Sequence, residues 1–351
     1  MAAASGYVDL RSDTVTRPSA AMRQAMATAE VGDDLFGSDP TVNRLQDRAA
    51  ELTGREAGLY LPTGTLCNQV AMHVFARAGH FVACEATAHV AGMEVLSSAV
   101  LSGIAFHRVA AAARGLLTPA EVAAALAPDP YDMTVIDLMA IENTHQVGGG
   151  TVMPASEVAA IRQVCAGRGV PLYLDGARIF NACAVTGAAV ADYAAEVDAM
   201  MFCLSKGLGA PIGSVLVGDS DFIAEARRLK ILFGAGWRQA GLMAAAGLIA
   251  LAEGPGRLAE DHANARKLAE GVAGIIPGGL DPAAIETNIV FVDVTVTGQP
   301  LARWVAGLAA QGLLVTTVGG RLRMLTHLDI TEQDIDTALA AWRAAAGELG
   351  V

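Results

Sequence analysis

Two ionisable side chains stand at the ends of apolar runs in this sequence. Lys206 follows the run AMMFCLS, and Asp175 closes the run LYLD 31 residues earlier. A lysine in such a position is ordinarily solvated, because a buried ammonium without a partner is unfavourable and its pKa falls. If the two runs are neighbouring strands, however, the lysine and the acid meet at the edge of the sheet where open α/β proteins bind their ligands.

An amine and a carboxylate in this arrangement suit pyridoxal 5'-phosphate. The lysine can form a Schiff base with the aldehyde of the cofactor, and the acid can keep the ring nitrogen protonated so that the ring accepts electrons. Gly64 and Thr65, in YLPTGTLCNQ, begin a predicted helix whose free N–H groups and dipole favour a phosphate. His89, in CEATAHVAG, is available to cover one face of the ring.

Each of these features also has an ordinary structural explanation. The lysine can be solvated at a strand end, the aspartate can be structural, PTGT can be a turn with a helix cap, and the histidine can be bonded within the fold. Their joint occurrence, in this order and on an α/β background, favours the cofactor site.

The elements that must position these residues alternate between strands and helices. The runs GLYLP, HFVAC, MTVIDLMAIEN, VPLYLD, AMMFCLS and SVLVG predict strands, and EVAAIRQVCAGRG predicts a helix ended by Gly167 and Gly169. This alternation predicts an α/β fold with a mostly parallel sheet covered by helices. Polar residues close several of the runs, so we expect the site at the carboxyl ends of the strands.

The pattern changes after about residue 250. GRLAEDHANARKLAEGVAGI predicts a long amphipathic helix, TNIVFVDV, LLVTTV and LRMLTHLDI predict strands, and TEQDIDTALAAWRAAAGEL predicts a final helix capped by Thr331. We therefore expect an N-terminal segment (1–14), a large cofactor-binding domain (15–250) and a small C-terminal α+β domain (251–351).

Composition narrows the class of protein. Of the 351 residues, 53% are hydrophobic and 17% are charged, and we expect a homodimer or homotetramer because proteins with few charges often bury surface between subunits. The net charge of −12 argues against nucleic acid or an anionic membrane as a main partner. Five scattered cysteines without a CxxC pair indicate reduced thiols in a cytoplasmic protein, and we expect no metal, signal peptide or membrane span.

Ten motifs, spread over nearly the whole chain, resemble those of the low-specificity L-threonine aldolases, which are pyridoxal-phosphate enzymes of the aspartate-aminotransferase fold type (fold type I). They are DLRSDTVTRPS, VGDDLFGSDPTVNRLQ, PTGTLCNQ, IENTHQVGGGTVMP, LYLDGARIFNACAV, LSKGLGAPIGSVLVG, WRQAG, DHANARKLAEG, ETNIVFVDV and RMLTHLDI. The resemblance implies reversible retro-aldol cleavage of a small β-hydroxy-α-amino acid, such as L-threonine or L-allo-threonine, to glycine and an aldehyde.

The resemblance also implies a role for each site residue. The cofactor is expected to contact Gly64, Thr65, His89, Asp175, Arg178, Lys206 and, from a partner subunit, Arg238. The substrate carboxylate is expected to bind Ser12, Arg178 and Arg323, since a guanidinium fork suits a carboxylate. The catalytic residues are then Lys206, Asp175 and a base, either His89 or His145. Ser12 could instead cap a turn, Arg323 could lie on the surface, and His145 could bond to backbone.

Three departures from the usual family pattern fall near the expected mouth of the site. The chain has Phe36-Gly37-Ser38 where Tyr-Gly-Glu is common, Lys230-Ile231 where Arg-Lys is common, and Gly234-Ala235-Gly236-Trp237 where Gly-Gly-Gly-Met is common. A lost phenol and a gained indole would reshape the pocket for the aldehyde portion. Two alternatives therefore stay open: another aldol or transaldol reaction on a related amino acid with the same cofactor, and a cofactor-binding protein with little catalysis.

We predict that Lys206 carries the cofactor. The purified protein is expected to be yellow and to lose its visible absorption on treatment with borohydride, because reduction saturates the Schiff-base C=N bond. Peptide mapping by mass spectrometry should find the reduced cofactor on Lys206. Its recovery on a different lysine would contradict the assignment.

Overall fold

The computed structural model describes residues 6–111, 114–128, 130–131 and 133–351. The strands are β1 (Val8–Asp9), β2 (Ala57–Leu61), β3 (Phe81–Glu85), β4 (Ala105–Val109), β5 (Ile136–Glu142), β6 (Leu172–Asp175), β7 (Ala199–Cys203), β8 (Ser214–Gly218), β9 (Ile289–Val292), β10 (Leu313–Leu314), β11 (Thr316–Val318) and β12 (Arg321–Leu325). The helices are α1 (Ala20–Ala27), α2 (Pro40–Thr53), α3 (Gly64–Phe75), α4 (His89–Gly92), α5 (Val95–Ser102), α6 (Pro119–Ala125), α7 (Ala155–Ala166), α8 (Ile179–Thr186), α9 (Val190–Ala194), α10 (Ser220–Leu232), α11 (Gly241–Glu253), α12 (Leu258–Ile275), α13 (Leu301–Ala310) and α14 (Glu332–Leu349).

One seven-stranded sheet, counted over the described residues, organises the larger part of the chain in the order β2-β8-β7-β6-β5-β3-β4. The strands from β4 to β7 are parallel to one another, whereas β8 runs antiparallel to both β7 and β2. β8 reverses because the connection from β7, residues 204–213, is too short for the crossover that a parallel neighbour requires. The prediction of a mostly parallel sheet covered by helices is confirmed.

Successive side chains of the central strand β7 enter two different hydrophobic cores. Met200 and Phe202 belong to the core on one face of the sheet, and Met201 and Cys203 belong to the core on the other face. Alternate side chains of a strand point to opposite faces of the sheet, and helices cover both faces here. Every side chain of β7 is therefore buried, which explains why the run is apolar throughout. Lys206, three residues beyond the end of β7, is half-buried at the edge of the sheet.

The edge strand β4 is not among the predicted strands. Its sequence, AFHRV, is no apolar run, because the strand has only β3 beside it and none of its residues is fully buried. Edge strands commonly carry polar and charged side chains, which hinder pairing with another chain.

The C-terminal part packs around a second, antiparallel sheet in the order β11-β12-β9. Trp304 and Trp342 are fully buried in its core, with ring centroids 5.3 Å apart. β1 pairs with β10, and Val8 and Leu10 belong to the same core, so the N-terminal strand packs with the C-terminal elements. The predicted boundaries after residues 14 and 250 stay a prediction.

Among the described residues, no single helix is long and apolar enough to cross a membrane, although α11 and the segment Pro255–Ile275, which meet at a bend of 41°, pass that test as a pair.

α14 begins with a capping box, as Thr331 predicts. The Thr331 hydroxyl accepts a hydrogen bond from the Asp334 N–H at 3.2 Å, and the Asp334 carboxylate accepts one from the Thr331 N–H at 2.8 Å. We predict that Thr331→Ala lowers the free energy of unfolding by about 0.5–2 kcal/mol, because the Asp334 N–H at the helix start loses its acceptor. Urea denaturation measures the change.

Thr337→Ala is the matched control for this substitution. Thr337 lies exposed within the same helix, and its hydroxyl donates only to the backbone oxygen of Gln333. No loss of stability is expected there, since alanine is the better helix former. Equal decreases in unfolding free energy in the two variants would show that loss of the helix cap is not the cause.

Candidate active site

A cavity lies at the carboxyl ends of β6 and β7, beside the N-terminus of α3. Six of the ten predicted site residues line it: Gly64, Thr65, His89, Asp175, Arg178 and Lys206. The other four, Ser12, His145, Arg238 and Arg323, do not line it. The sheet therefore assembles most of the predicted site at the edge where ligands of such sheets bind.

Asp175 presents a buried carboxylate to this cavity. Its Oδ2 accepts a hydrogen bond from the Asn68 amide at 2.9 Å, and its Oδ1 accepts one from the Ala177 N–H at 3.1 Å. Within the described part of the chain, no lysine, arginine or histidine forms an ion pair with it. A buried carboxylate without a cation is unfavourable, so this side of the cavity suits a positively charged group on a ligand.

Lys206 lines the same cavity. Its backbone oxygen accepts a hydrogen bond from the Thr16 hydroxyl at 3.1 Å, which holds the turn after β7. Its ammonium has no hydrogen-bond or ion-pair partner among the described residues. The amine is therefore available to an electrophile in the cavity.

The N-terminus of α3 supplies anion-binding groups. Thr63 caps the helix by accepting a hydrogen bond from the Leu66 N–H at 3.1 Å, and Gly64 and Thr65 occupy the first two helical positions, where N–H groups have no intrahelical partner. A Cβ on Gly64 would lie 2.7 Å from Met201 Cε and 2.9 Å from Cys203 Sγ. Glycine therefore lets the helix start approach β7 closely.

The predicted cofactor fits these groups. The lysine amine, the carboxylate without a cation and the helix N-terminus match the aldehyde, the ring nitrogen and the phosphate of pyridoxal phosphate in chemical type. They all line one cavity, which is the condition the sequence could not test.

His89 is the predicted base that reaches the cavity. Its Nδ1 lies 2.8 Å from Glu94 Oε1, and its backbone N–H donates to Glu142 Oε2 at 2.7 Å. The hydrogen bond with Glu94 raises the pKa of the imidazole above its usual value, despite burial, and the charge of Asp175 acts in the same direction. Neither Glu94 nor Glu142 was predicted as a site residue, because a lone glutamate in a sequence carries no signal of what it contacts.

His145, the other candidate base, is buried away from the cavity. Its Nδ1 accepts a hydrogen bond from the Gly148 N–H at 3.0 Å, and its Nε2 lies 3.0 Å from Glu85 Oε2. With both ring nitrogens engaged and 1% of the side chain exposed, His145 supports the loop that follows β5 and leaves no nitrogen for a substrate. Its catalytic role stays a prediction that this geometry does not favour.

Asp13 is a site residue that the sequence reading missed. It forms a fully buried two-point ion pair with Arg178, from Nε at 2.6 Å and from Nη2 at 2.7 Å. Burial alone would raise the pKa of Asp13, but the Arg178 charge and its hydrogen bonds lower it to about 2. Asp13 lies within the motif DLRSDTV, but an aspartate in a turn is equally typical of a helix or turn cap. The sequence therefore did not indicate that Asp13 pairs with Arg178.

The expected carboxylate-binding residues surround this ion pair. Arg323 is half-buried beside the Thr316 hydroxyl at 3.3 Å, and burial together with the nearby Arg178 charge lowers its pKa. Ser12 accepts a hydrogen bond from the Thr14 N–H at 3.2 Å and so caps a turn. One carboxylate next to two guanidinium groups leaves an excess of positive charge, which favours an additional anion.

The chain is similar in sequence to known proteins over nearly its whole length. The model of the beta-eliminating lyase family matches residues 9–297. The chain is 40% identical, over 337 residues, to the low specificity L-threonine aldolase of Escherichia coli (strain K12), covering 96% of this chain and 98% of that protein. The chain belongs to the low-specificity L-threonine aldolase family.

A further relative supports the family assignment, and a solved structure supports the fold. The probable low-specificity L-threonine aldolase 2 of Arabidopsis thaliana is 37% identical over 340 residues, 95% of this chain and 96% of that protein. The threonine aldolase of Leishmania major has the same fold, with a TM-score of 0.80 at 21% identity over 96% of this chain and 99% of that chain. The predicted family and fold class are confirmed.

The positions at which this chain departs from the usual family pattern lie outside the cavity. The Trp237 ring packs 5.1 Å from the Tyr60 ring, and the Lys230 ammonium lies over it while pairing with Asp34 at 2.6 Å. Phe36 is 81% exposed. A role for Phe36 and Trp237 in the aldehyde pocket therefore requires a neighbouring subunit, and it stays a prediction.

Arg238, the expected phosphate contact from a partner, is exposed and 3.8 Å from Asp33. It lies next to Trp237 in a shallow depression that also includes Ile212 and Met243. Within its own chain it does not line the Lys206 cavity, so its predicted role also depends on a second subunit.

We predict that Asp13→Asn destabilises the protein at pH 7 by about 3–5 kcal/mol, because it leaves the Arg178 guanidinium buried without its counter-charge. Since the pKa of Asp13 is lowered from 3.8 to about 2 on folding, its stabilising effect is complete above about pH 4 and is lost as pH falls towards 2. The difference in unfolding free energy between wild type and Asp13→Asn should therefore decrease as the pH falls from about 4 to about 2. Denaturant unfolding at several pH values measures it.

Asp9→Asn is the control for this change. Asp9 lies in the same segment and pairs with the exposed Arg11, so its loss should cost less than about 1 kcal/mol. A difference in unfolding free energy between wild type and Asp13→Asn that stays constant from about pH 5 to about pH 2 would show that ionisation of Asp13 is not the cause.

Proposed function

We propose that the protein is a pyridoxal-phosphate-dependent aldehyde-lyase that cleaves L-threonine, L-allo-threonine and related β-hydroxy-α-amino acids to glycine and an aldehyde. The observation that carries the proposal is that Lys206 and Asp175 line one cavity. Among the described residues, the Lys206 ammonium has no partner, and the buried Asp175 carboxylate has no cation beside it. The family to which the chain belongs supports the same reaction.

When bound, the cofactor supplies an aldehyde that holds the substrate amine and a ring that accepts the electrons of the breaking Cα–Cβ bond. Lys206 would hold the cofactor through its amine. Asp175 would stabilise the protonated ring nitrogen, because its buried negative charge is held by Asn68 and lacks another cation. Gly64 and Thr65 would bind the phosphate through the start of α3.

The substrate is oriented by charge on the other side of the cavity. Arg178 lines the cavity, and its pairing with Asp13 fixes the guanidinium in place while Nη1 remains for the substrate carboxylate. Arg323 and Ser12 lie beside this pair. A carboxylate held here would fix the orientation of the substrate in the cavity.

His89 is the group placed to take the proton from the β-hydroxyl. It lines the cavity, and among the described residues its Nε2 has no hydrogen-bond partner. A positioned base contributes typically about 10²–10⁴-fold to the rate.

We infer that the protein works as a homo-oligomer with shared active sites. Large apolar side chains on α5 and at the end of α10 are exposed in the single chain: Leu96, Val100 and Leu232 are 79%, 84% and 63% exposed. Burial of such side chains between subunits would remove apolar surface from water. The five cysteines are free, which supports the expectation of a reducing compartment such as the cytoplasm.

The proposed reaction is tested with a substrate panel. Purified protein incubated with L-threonine, L-allo-threonine and phenylserine should release glycine and the matching aldehyde from each. We expect phenylserine to be cleaved at least as efficiently as L-threonine if Phe36 and Trp237 reach the site of a partner, since differences of one methylene in an apolar pocket amount to only about 1–3 kcal/mol.

Two results of the panel would change the proposal. Transfer of the glycine unit to a second aldehyde without net cleavage would favour a transaldol reaction, and bound cofactor without any turnover would favour a binding protein. A strong preference for L-threonine that Trp237→Met leaves unaltered would show that Trp237 does not shape the aldehyde pocket.

We predict that Asp175→Asn keeps the cofactor but loses most of the cleavage activity. The amide cannot stabilise a protonated ring nitrogen, so the electrons of the breaking bond are accepted less well. Turnover and visible absorption are measured together, with Asp221→Asn on the exposed start of α10 as the control that should behave as wild type. Near-normal turnover of Asp175→Asn would remove Asp175 from this role.

A further inference from the structure

Glu94 is a buried carboxylate that has no assigned role. It lies directly before α5 and is 2% exposed, and its side chain does not cap that helix. Its Oε1 lies 2.8 Å from His89 Nδ1 and 3.0 Å from Asn68 Nδ2, while its Oε2 lies 2.9 Å from Gln69 Nε2. Three side chains therefore converge on two oxygens.

The amide nitrogens of these neighbours donate, and their oxygens have other partners. Asn68 Nδ2 donates to both Glu94 and Asp175, while Asn68 Oδ1 accepts from the Tyr173 hydroxyl at 2.8 Å. Gln69 Nε2 donates to Glu94, while Gln69 Oε1 accepts from the Ser98 hydroxyl at 3.0 Å. Glu94 accepts hydrogen bonds from two amide groups while it is buried. This arrangement suits an ionised carboxylate, because both of its oxygens are acceptors.

This arrangement determines the state of His89. Because Glu94 can only accept, the His89 nitrogen that faces it must carry the hydrogen, and in the neutral imidazole the lone pair is then on Nε2. The carboxylate also holds the plane of the ring. In acid–base catalysis a buried acid that orients an imidazole in this way makes one nitrogen the base.

We propose that Glu94 is a positioning residue that acts through His89: its carboxylate sets the tautomer and proton affinity of the base, and Asn68 joins it to Asp175 in one buried network. The network is a property of the folded chain, whereas its catalytic consequence rests on the proposed function.

The charges that face His89 come from several elements. Glu94 precedes α5, Glu142 ends β5 and accepts the His89 N–H, and Asp175 ends β6, so three carboxylates surround the ring. Lys206 and Arg178 line the same cavity and oppose them. The pKa of His89 is raised, with its hydrogen bond to Glu94 as the largest contribution. Loss of the Glu94 charge should therefore lower this pKa.

The test uses Glu94→Gln, which keeps the shape of the side chain and removes its charge. The full-length protein as purified, with histidine labelled at 13Cε1, is titrated by NMR, and the His89 resonance is assigned from its absence in His89→Asn. We expect the His89 midpoint to fall in Glu94→Gln and to stay at the wild-type value in Glu225→Gln, whose charge is on the exposed face of α10. An unchanged midpoint in Glu94→Gln would overturn the proposal.

The pH dependence of kcat/KM gives the second readout. A base must be unprotonated to act, so activity rises with pH through the His89 pKa, and in Glu94→Gln this rise should move to lower pH. The plateau value of kcat should fall by about 10²–10⁴-fold, the contribution of a positioned base, with little change in KM. A lower kcat with the rise at an unchanged pH would mean a merely structural role and would contradict the proposal.

Two further results keep the proposal separate from other causes. Glu94→Asp retains the charge but shortens the side chain by one methylene, which weakens the hydrogen bond to His89, so its His89 midpoint should fall, but by less than that of Glu94→Gln. A midpoint that falls equally in the two variants would contradict the role of the charge, and one that stays at the wild-type value would contradict the role of the hydrogen bond. If wild type cleaves none of the panel substrates while its His89 midpoint still depends on Glu94, the proposed reaction fails and the effect of Glu94 on His89 stands.

Discussion

A buried negative charge at the carboxyl ends of the parallel strands is the constraint on which the site depends. Asp175 is kept out of water with two hydrogen bonds and, among the described residues, no ion-pair partner. Such a charge is costly unless a ligand supplies the cation. The fold therefore holds the apoprotein in a state that a positively charged ring nitrogen would stabilise, and the same carboxylate would keep that nitrogen charged during the reaction.

The packing of α3 against β7 gives this charge its surroundings. Gly64 allows the helix start to lie against Met201 and Cys203, which brings N–H groups without an intrahelical partner to the cavity. One turn later, Asn68 of the same helix reaches Asp175. A single helix thus contributes to both ends of the cofactor site, so its position relative to β7 determines the distance between them.

The substrate side of the site depends on the chain's N-terminal segment. β1 belongs to the core of the C-terminal elements, and Asp13, a few residues later, pairs with Arg178 directly after β6. Asn288, just before β9, donates to Asp13 at 3.4 Å. The charges proposed to bind the substrate carboxylate therefore lie where the N-terminal segment, the large sheet and the C-terminal part meet, and movement between these parts would alter the site.

The sequence by itself determined the fold class, the family and six residues of the cavity, because strand ends, a helix start and long ordered motifs are local features that do not require knowledge of contacts. Tertiary structure decided what depends on direction and distance. It placed His89, at the start of α4, in the cavity and His145, in the loop after β5, outside it, although of the two only His145 lies in a motif that carried the family resemblance. It also showed that Asp13, Asn68 and Glu94 hold the site residues in place, since a buried polar side chain is recognised only by the partners that folding brings to it from far along the chain.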